Sequence, residues 1–404
     1  MAVGRRSRST TLLAVALLPS AALQSVEIAP LAPSPAAVAL GARLVDAIDG
    51  DNACGAVRVV EHDDGGGVAM RFLGCNGTSV GAAFIRPTHA RSQIVYTAMI
   101  VQAAAALARP APSLADGARA APRRALCLGL GAGAVPRALR ARHGIIVDVV
   151  ERSAGIAAMA ARHFAHDVAA GASGRTVLAD ARELLRGGAV DGRLRGPYDV
   201  IVADLFDGMA HRGVGACAPG DGDGGGDDGG GALPLDARAL KARWLPTSGE
   251  GVLVLNVVAA LGARAGPMRA PVERAAAELA RAFVHVRAFA DHEPTADEAA
   301  VPDADDEAAD ADACNVVFVA SDRPLRFPPA APRRPGSEGD EAWVLGVFEA
   351  RWELPGLGSR AGWARHVPPD AARALDGAAR AAASMAAMQA RTLPPGVRAL
   401  LGAG

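Results

Sequence analysis

The sequence predicts an α/β fold built around a mainly parallel sheet, with a small β-hairpin region before it. From residue 123 onward, short apolar runs alternate with helical segments, glycines follow the first run, and acids close three of the runs. Alternating strands and helices favour a parallel sheet covered on both faces, because each crossover helix packs back onto the sheet. We therefore expect residues 123–325 to form the central domain.

The stretch from Arg124 to Glu151 has the order of a first βαβ unit. An apolar run leads into a glycine-containing turn, a helical segment follows, and a second apolar run ends on Glu151. The glycines are Gly129, Gly131 and Gly133. Because glycine lacks a Cβ, the backbone here can turn sharply and approach a ligand closely. An acid at the tip of the second strand can accept both hydroxyls of a ribose, so this unit predicts an adenosine-bearing cofactor.

Three further acids stand near the ends of the next two strands. Asp180 closes the third strand and opens a helix, so it can bind an adenine amino group, cap the helix, or do both. Asp204 and Asp207 lie at the carboxyl end of the fourth strand, beside the crevice where such sheets bind ligands. Their structural alternatives are a strand-end cap for Asp204 and a turn residue before Gly208 for Asp207.

The remaining elements follow from apolar periodicity and turn residues. Glycine and aspartate at 63–66 predict a hairpin, and the last two strands are joined by a loop, which predicts an antiparallel pair at the sheet edge. Further strands are predicted near residues 57–60, 68–72, 79–85, 176–178, 198–203, 251–258, 283–289 and 316–320, and helices near 92–109, 235–244 and 272–282.

Composition divides the chain into further regions. Residues 41–109 form the small β region with its helix, 110–122 a Pro/Ala-rich linker, and 326–404 a helical C-terminal extension. Two stretches within the central domain, 213–231 and 291–312, have too little apolar content to fold and are predicted to be mobile insertions.

Residues 1–40 are predicted to be a targeting or disordered leader. Arginines precede a short apolar run and small residues, as in a signal peptide, and the segment to Ala42 is rich in Ala, Pro and Ser. The secretory pathway and an organelle such as the plastid are both consistent with this layout. The run is too short to span a membrane, and no later stretch looks like a transmembrane helix.

Charge and cysteine content exclude several classes of function. Lysine plus arginine (42) nearly balances aspartate plus glutamate (43), and aromatic residues are only 4%, so we expect no nucleic-acid partner. The five cysteines show no spacing typical of zinc sites and no disulfide framework, and none is assigned a role. We predict no metal site, since the Asp-rich insertion also lacks the spacing of a calcium loop.

Five motifs in order resemble one family. LGLGAGAVP, VDVVE, LADARELL, YDVIVADLFDG and GVLVLNVV are similar to the spermidine synthase-like branch of the S-adenosylmethionine-dependent methyltransferases, over about residues 57–320. Cys127, two residues before the first glycine, stands where most such methyltransferases have an acid but this branch has an apolar residue. The resemblance implies a Rossmann-like methyltransferase sheet with an antiparallel last strand and a small N-terminal β-domain.

The resemblance also implies roles for individual residues. The three glycines would line the methionine part of S-adenosylmethionine or its decarboxylated form, Glu151 would hold the ribose, and Asp180 the adenine. Asp204 and Asp207 match the catalytic Asp-x-x-Asp acids, which in aminopropyltransferases bind and deprotonate the attacking amine. Gln93 and Tyr96 would contact the acceptor, a small molecule or a protein. Family members are often dimers, so the resemblance is compatible with a homodimer, but the sequence itself offers no evidence for an interface.

Departures from the family pattern decide between the activities. No acid lies between Asp64 and Asp116, where true spermidine synthases carry an acidic diamine pocket, and Gly208 replaces the family's proline. We therefore expect a methyltransferase with an unassigned acceptor, with a polyamine aminopropyltransferase as the alternative. A catalytically idle nucleoside-binding or partner protein is a further alternative, which the presence of Glu151, Asp180 and Asp204 together disfavours. An NAD oxidoreductase would need a substrate domain with a catalytic base, and the sequence offers no obvious candidate for one.

Overall fold

The computed structural model describes residues 41–63, 65, 69–86, 95–107, 122–166, 174–188, 190, 193–205, 235–261, 269–291, 313–327, 354 and 393–401. Its first part is an antiparallel sheet in the order β1-β2-β3-β4. The strands are β1 (Ala42–Asp51), β2 (Gly55–Asp63), β3 (Ala69–Cys75) and β4 (Thr78–Arg86). The predicted hairpin and third strand are present as β2, β3 and β4, whereas the sequence did not predict β1.

A disulfide joins Cys54 to Cys75 in this small sheet, with a Cα–Cα distance of 5.1 Å. Assigning no role to these two cysteines was therefore wrong. The pairing of β2 with β3 sets Cys75 opposite Val57, close to the turn that carries Cys54, and this proximity is invisible in a separation of 21 residues. Cys127 and Cys314 are buried free thiols, as their apolar surroundings predicted.

The central domain is a seven-stranded sheet in the order β10-β11-β9-β8-β5-β6-β7. All pairs are parallel except those made by β11, which runs antiparallel to both β9 and β10. The strands are β5 (Arg124–Leu128), β6 (Ile146–Glu151), β7 (Thr176–Leu178), β8 (Val200–Ala203), β9 (Val252–Ala260), β10 (His285–Ala290) and β11 (Ala313–Ser321). This confirms the predicted fold class, a Rossmann-like methyltransferase sheet with an antiparallel last strand.

The central strands are buried on both faces, which is why they read as continuous apolar runs. In β5, Leu126 and Leu128 pack into the core on one face of the sheet, while Ala125 and Cys127 pack into the core on the other. The helices that cover these faces arise from the predicted segments. They are α1 (Val95–Leu107), α2 (Ala134–His143), α3 (Ala154–His163), α4 (Ala181–Leu185), α5 (Ala237–Trp244) and α6 (Ala270–Ala282).

Polar contacts fix the small sheet against α3. The Asp51 carboxylate accepts a hydrogen bond from the Gly155 backbone N–H at 2.9 Å, and Asp46 contacts the His163 ring at 2.7 Å. Arg71 donates to the backbone carbonyl of His163. The two sheets therefore share an interface at the helix that follows β6.

The last described helix, α7 (Pro395–Leu401), packs on the small sheet. Its Val397 and Leu401 share an apolar cluster with Val60 and Phe72. The leader at 1–40, the insertion at 213–231 and nearly all of the linker, of the insertion at 291–312 and of the extension at 326–404 lie outside the described residues.

Candidate active site

A cleft that is partly open to solvent lies at the carboxyl ends of the central strands. The glycine turn after β5, the acids that end β6 and follow β8, and the residue before α4 form its floor, while β4 and the start of α1 lie along its other side. This is the crevice in which open α/β sheets bind ligands. The topology thus brings Gly129, Gly131, Glu151, Asp180 and Asp204 to one cavity.

Two glycines of the turn adopt left-handed backbone that only glycine accommodates readily. Gly129 has φ 92°, and a Cβ there would lie 2.3 Å from the Asp204 carbonyl oxygen. Gly131 has φ 50°, and a Cβ there would lie 2.4 Å from the carbonyl oxygen of Val80 in β4. A side chain at either position would therefore force the backbone of a neighbouring element to move.

The third predicted glycine stands apart from the other two. Gly133 is the N-cap of α2, with φ 71°, and a Cβ there would lie 3.1 Å from the side chain of His166. It is not among the residues that line the cleft. Gly133 therefore lies against His166 of the chain itself, whereas Gly129 and Gly131 line the cleft.

Glu151 ends β6 with a carboxylate held by the backbone. Its Oε2 accepts from the Leu130 N–H at 3.0 Å, and its Oε1 accepts from the Ser153 N–H at 2.8 Å. Burial raises the pKa of Glu151, and the backbone N–H groups oppose that rise by stabilising the charge. The Arg152 backbone N–H also stabilises this carboxylate. A carboxylate has about four acceptor positions, so Glu151 can still accept from a ribose in addition to its backbone donors.

Asp180 is the N-cap of α4 and also the partner of Arg182. Its Oδ1 accepts from the Arg182 backbone N–H at 2.9 Å, and its Oδ2 accepts from the guanidinium at 2.6 Å. Burial acts to raise the pKa of Asp180, but the hydrogen bonds and charge of Arg182 outweigh it and the pKa is lowered. The capping role is present, and the adenine role stays a prediction in which Arg182 competes for the carboxylate.

Asp204 follows β8 and is half-buried at the floor of the cleft. Its Oδ1 accepts a hydrogen bond from Asn256 Nδ2 at 2.9 Å. Burial raises the pKa of Asp204 to about 6, and the Asn256 bond opposes the rise. A carboxylate with a pKa near neutrality can both accept and release a proton under ordinary conditions, which suits a general base.

Of the predicted acceptor residues, Tyr96 lines the cleft near Asp204. Burial, followed by the charge of Asp204, raises the pKa of the Tyr96 phenol, so the hydroxyl keeps its proton. Gln93 and Asp207 lie outside the described residues, and their predicted roles stay predictions.

Sequence reasoning missed three polar residues near Asp204. Asn256 of β9 and Asn315 of β11 are 7% and 6% exposed, and Asn256 Nδ2 donates to Asn315 Oδ1 at 3.0 Å. Asn315 in turn donates to Asp291 at 2.8 Å. Asp291 stands at the start of the predicted insertion, but its backbone N–H pairs with the Asn315 carbonyl and extends β10. The available signal was an asparagine inside each of two otherwise apolar strands.

The described part of the chain contains no group of three or more His, Cys, Asp and Glu side chains arranged to hold a metal ion. Within the same residues, no helix is long and apolar enough to cross a membrane.

Comparison with known proteins gives matches among solved structures only. No protein-family model matches the chain. No curated protein matches it either. A probable spermidine synthase from Corynebacterium glutamicum is 16% identical, with a TM-score of 0.44, over 75% of this chain and 95% of that one. The spermidine synthase of Thermotoga maritima is 14% identical, with a TM-score of 0.45, over 76% of this chain and 84% of that one.

Human methyltransferase-like protein 13, solved with SAH, is 19% identical to the chain, with a TM-score of 0.34, over 62% of this chain and 90% of that one. Spermidine synthases and methyltransferases, the two kinds of protein named by the resemblance, are thus both among the structures to which the chain is similar. At these identities the similarity concerns the fold, and an activity has to be argued from the site.

Proposed function

We propose that the protein is an S-adenosylmethionine-dependent methyltransferase built on a spermidine synthase-like scaffold. The observation that carries the proposal is that one cleft contains the glycine turn, the Glu151 carboxylate and the half-buried Asp204. The first two suit the adenosyl part of the cofactor, and Asp204 lies where a nucleophile would need a base. The acceptor is a small molecule or a protein side chain.

The donor set of the cleft fits an adenosyl group. Glu151 offers a carboxylate that is fixed by backbone N–H groups and has acceptor capacity beyond them. Gly129 and Gly131 expose backbone without side chains along the cleft. Glu151 would therefore hold the ribose, the two glycines would lie against the methionine portion, and Asp180 would compete with Arg182 for contact with the adenine.

Bound S-adenosylmethionine would supply a carbon activated by its attachment to a sulfonium. The protein then has to align a nucleophile and take its proton. Within the described residues, Asn256 is the hydrogen-bond donor to Asp204, which leaves Oδ2 of that carboxylate to accept the proton. With a pKa of about 6, Asp204 is mostly ionised above that pH and able to act as the base. Tyr96 remains protonated and can orient the acceptor.

Aminopropyl transfer from decarboxylated S-adenosylmethionine is the second candidate. Asp291 favours it, because the amides of Asn315 and Asn256 link this second carboxylate to Asp204 at the same end of the sheet. Against it, the acids of the described cleft lining are Glu151, Asp180 and Asp204. With the first two at the predicted adenosyl end, Asp204 remains for a diamine that carries two charges, and the methyltransferase is the better supported candidate.

Calorimetric titration of the full chain with S-adenosylmethionine and with its decarboxylated form tests the proposal. The two ligands differ by one carboxylate, so their ratio of affinities reports the preference of the pocket. Tighter binding of the carboxylated form is the expected result. Tighter binding of the decarboxylated form would replace the proposal by aminopropyl transfer. Binding of neither would refute both and favour a catalytically idle protein.

For the location of the protein, we propose the secretory pathway as the destination encoded by the leader. The Cys54–Cys75 disulfide supports this over a reducing compartment, since disulfides form and persist in oxidising ones. A fusion of residues 1–40 to a fluorescent reporter tests the proposal, and import into plastids would contradict it. A homodimer, which is compatible with the resemblance, is tested by light scattering of the purified chain.

A further inference from the structure

Four polar side chains form a continuous line of hydrogen bonds across neighbouring strands. Asp204 follows β8, Asn256 lies in β9, Asn315 in β11, and Asp291 follows β10. Asn256 Nδ2 donates to Asp204 Oδ1 at 2.9 Å and to Asn315 Oδ1 at 3.0 Å, and Asn315 Nδ2 donates to Asp291 Oδ2 at 2.8 Å. The line joins Asp204 at the cleft to Asp291, which is not among the residues that line it.

This line of hydrogen bonds has a carboxylate at each end, and each carboxylate fixes the direction in which the neighbouring amide points. A carboxylate has no proton to donate, so Asp291 requires Asn315 to present its NH₂ group. The Asn315 oxygen then faces Asn256, which must present its own NH₂ group. Because that group has two hydrogens, the second is available to Asp204. Reversal of either amide would place two oxygens, or two NH₂ groups, against each other.

The orientation of the Asn256 amide leaves one of its own polar atoms without a hydrogen bond. Its Oδ1 is buried and has no hydrogen-bond partner in the described part of the chain. An unpaired buried acceptor is unfavourable, because it has lost its hydrogen bonds to water. The neighbours of Asn256 therefore determine which way its amide points.

We propose that Asp291 and Asn315 are positioning residues, which act through Asn256 to hold a hydrogen-bond donor on the Asp204 carboxylate. The proposal rests on the proposed function, in which Asp204 is the base. Neither Asp291 nor Asn315 needs to touch the reacting atoms, because their effect is the fixed orientation of the Asn256 amide.

Two described titratable groups that interact with Asp204, Tyr96 and Cys127, are neutral near pH 7. Tyr96 approaches from α1, and burial raises the pKa of its phenol. Cys127 lies in β5, and burial raises the pKa of its thiol to about 12. The negative charge of Asp291 is the remaining one along this line of residues. Loss of the line of hydrogen bonds and loss of the Asp291 charge should therefore have separable effects on the titration of Asp204.

The test is an NMR titration of Asp side-chain carboxyl carbons in the full chain, with the Asp204 signal assigned by its loss in Asp204→Asn. Asn256→Leu, which removes the direct donor, should raise the Asp204 pKa by about one unit, since the charged form loses a hydrogen bond. Asp291→Leu and Asn315→Leu should move it in the same direction by a smaller amount, because each removes one partner of the line of hydrogen bonds. Ser321→Ala is the control, because it removes a buried hydroxyl from the far end of β11 and should leave the titration unchanged.

Asp291→Leu gives a decisive sign, because leucine removes both the acceptor for Asn315 and the negative charge. Loss of the line of hydrogen bonds raises the Asp204 pKa, because the charged form loses stabilisation. Loss of the Asp291 charge alone lowers the Asp204 pKa, since a nearby negative charge disfavours ionisation. An upward shift supports the proposal, and a downward shift or none refutes it. Because Asp291 is less buried than Asn315, Asp291→Leu also keeps the test available if Asn315→Leu fails to fold. The titration needs no acceptor and no cofactor, so failure of the proposed function would appear separately, as absence of ligand binding in calorimetry.

Discussion

Replacing Asp204 with asparagine should stabilise the native state at neutral pH, at the expense of the proposed activity. Burial raises the pKa of Asp204 from an ordinary value of 3.8 to about 6. The native state therefore binds the Asp204 proton more tightly than the unfolded chain does. The stability that this preference contributes is present below pH 3.8 and is lost as the pH rises through about 6. At pH 7 and above, the ionised carboxylate therefore lowers the free energy of unfolding.

The magnitude follows from the shift. About two pKa units at 1.36 kcal/mol each correspond to up to about 3 kcal/mol. Asparagine has nearly the same shape and its side-chain oxygen can still accept from Asn256, so the variant should recover most of this free energy. The gain should be present at pH 8 and absent at pH 4.

Denaturant unfolding of the wild type and of Asp204→Asn at pH 4, 6 and 8 measures the effect as a difference in the free energy of unfolding. Asp180→Asn is a control of opposite sign. The pKa of Asp180 is lowered, so its charge stabilises the fold above the unfolded pKa, and the variant should be destabilised at pH 8. If Asp204→Asn is destabilised at pH 8, or if its gain does not vary with pH, the attribution of the raised pKa to burial is refuted.

Three further predictions concern the cleft. Glu151→Ala should weaken S-adenosylmethionine binding by roughly 2–3 kcal/mol, about 30- to 150-fold in Kd by calorimetry, and unchanged affinity would contradict the ribose role. Asp204→Asn should abolish transfer to any acceptor found by screening with labelled cofactor while cofactor affinity stays nearly intact; equal loss of binding would place Asp204 in the cofactor pocket. Because the Cys54–Cys75 disulfide borders the cleft, reduction with a dithiol should lower both the melting temperature and the cofactor affinity, and the double serine variant should be insensitive to reduction.

The central domain was predictable because its strands are buried on both faces and its helices are amphipathic. The apolar runs that became β5, β6, β8 and β9 need no distant information, and the same local order predicted the acids at their ends. β1 was missed because ARLVDAIDGD mixes charged and apolar residues without clear alternation, and its place depends on pairing with β2.

The line of hydrogen bonds from Asp204 to Asp291 and the Cys54–Cys75 disulfide could not be predicted in the same way. Asn256 and Asn315 meet only because β11 inserts between β9 and β10, a pairing between segments about sixty residues apart along the chain. Cys54 and Cys75 meet through the register of β2 and β3. In each case the informative contact is between residues distant in sequence, and a pattern read along one segment does not contain it.

The contact between β4 and the glycine turn bears on how this protein can be engineered. A Cβ at Gly131 would strike the Val80 carbonyl oxygen, and a Cβ at Gly81 would lie 2.6 Å from Cβ of Ala132. Each segment thus fixes which residue the other can carry. A chimera that grafts the central domain onto a foreign N-terminal sheet would have to keep small residues on both sides of this contact. The small sheet is therefore part of the structural unit that forms the cleft. Domain swaps between related proteins should transfer both sheets together.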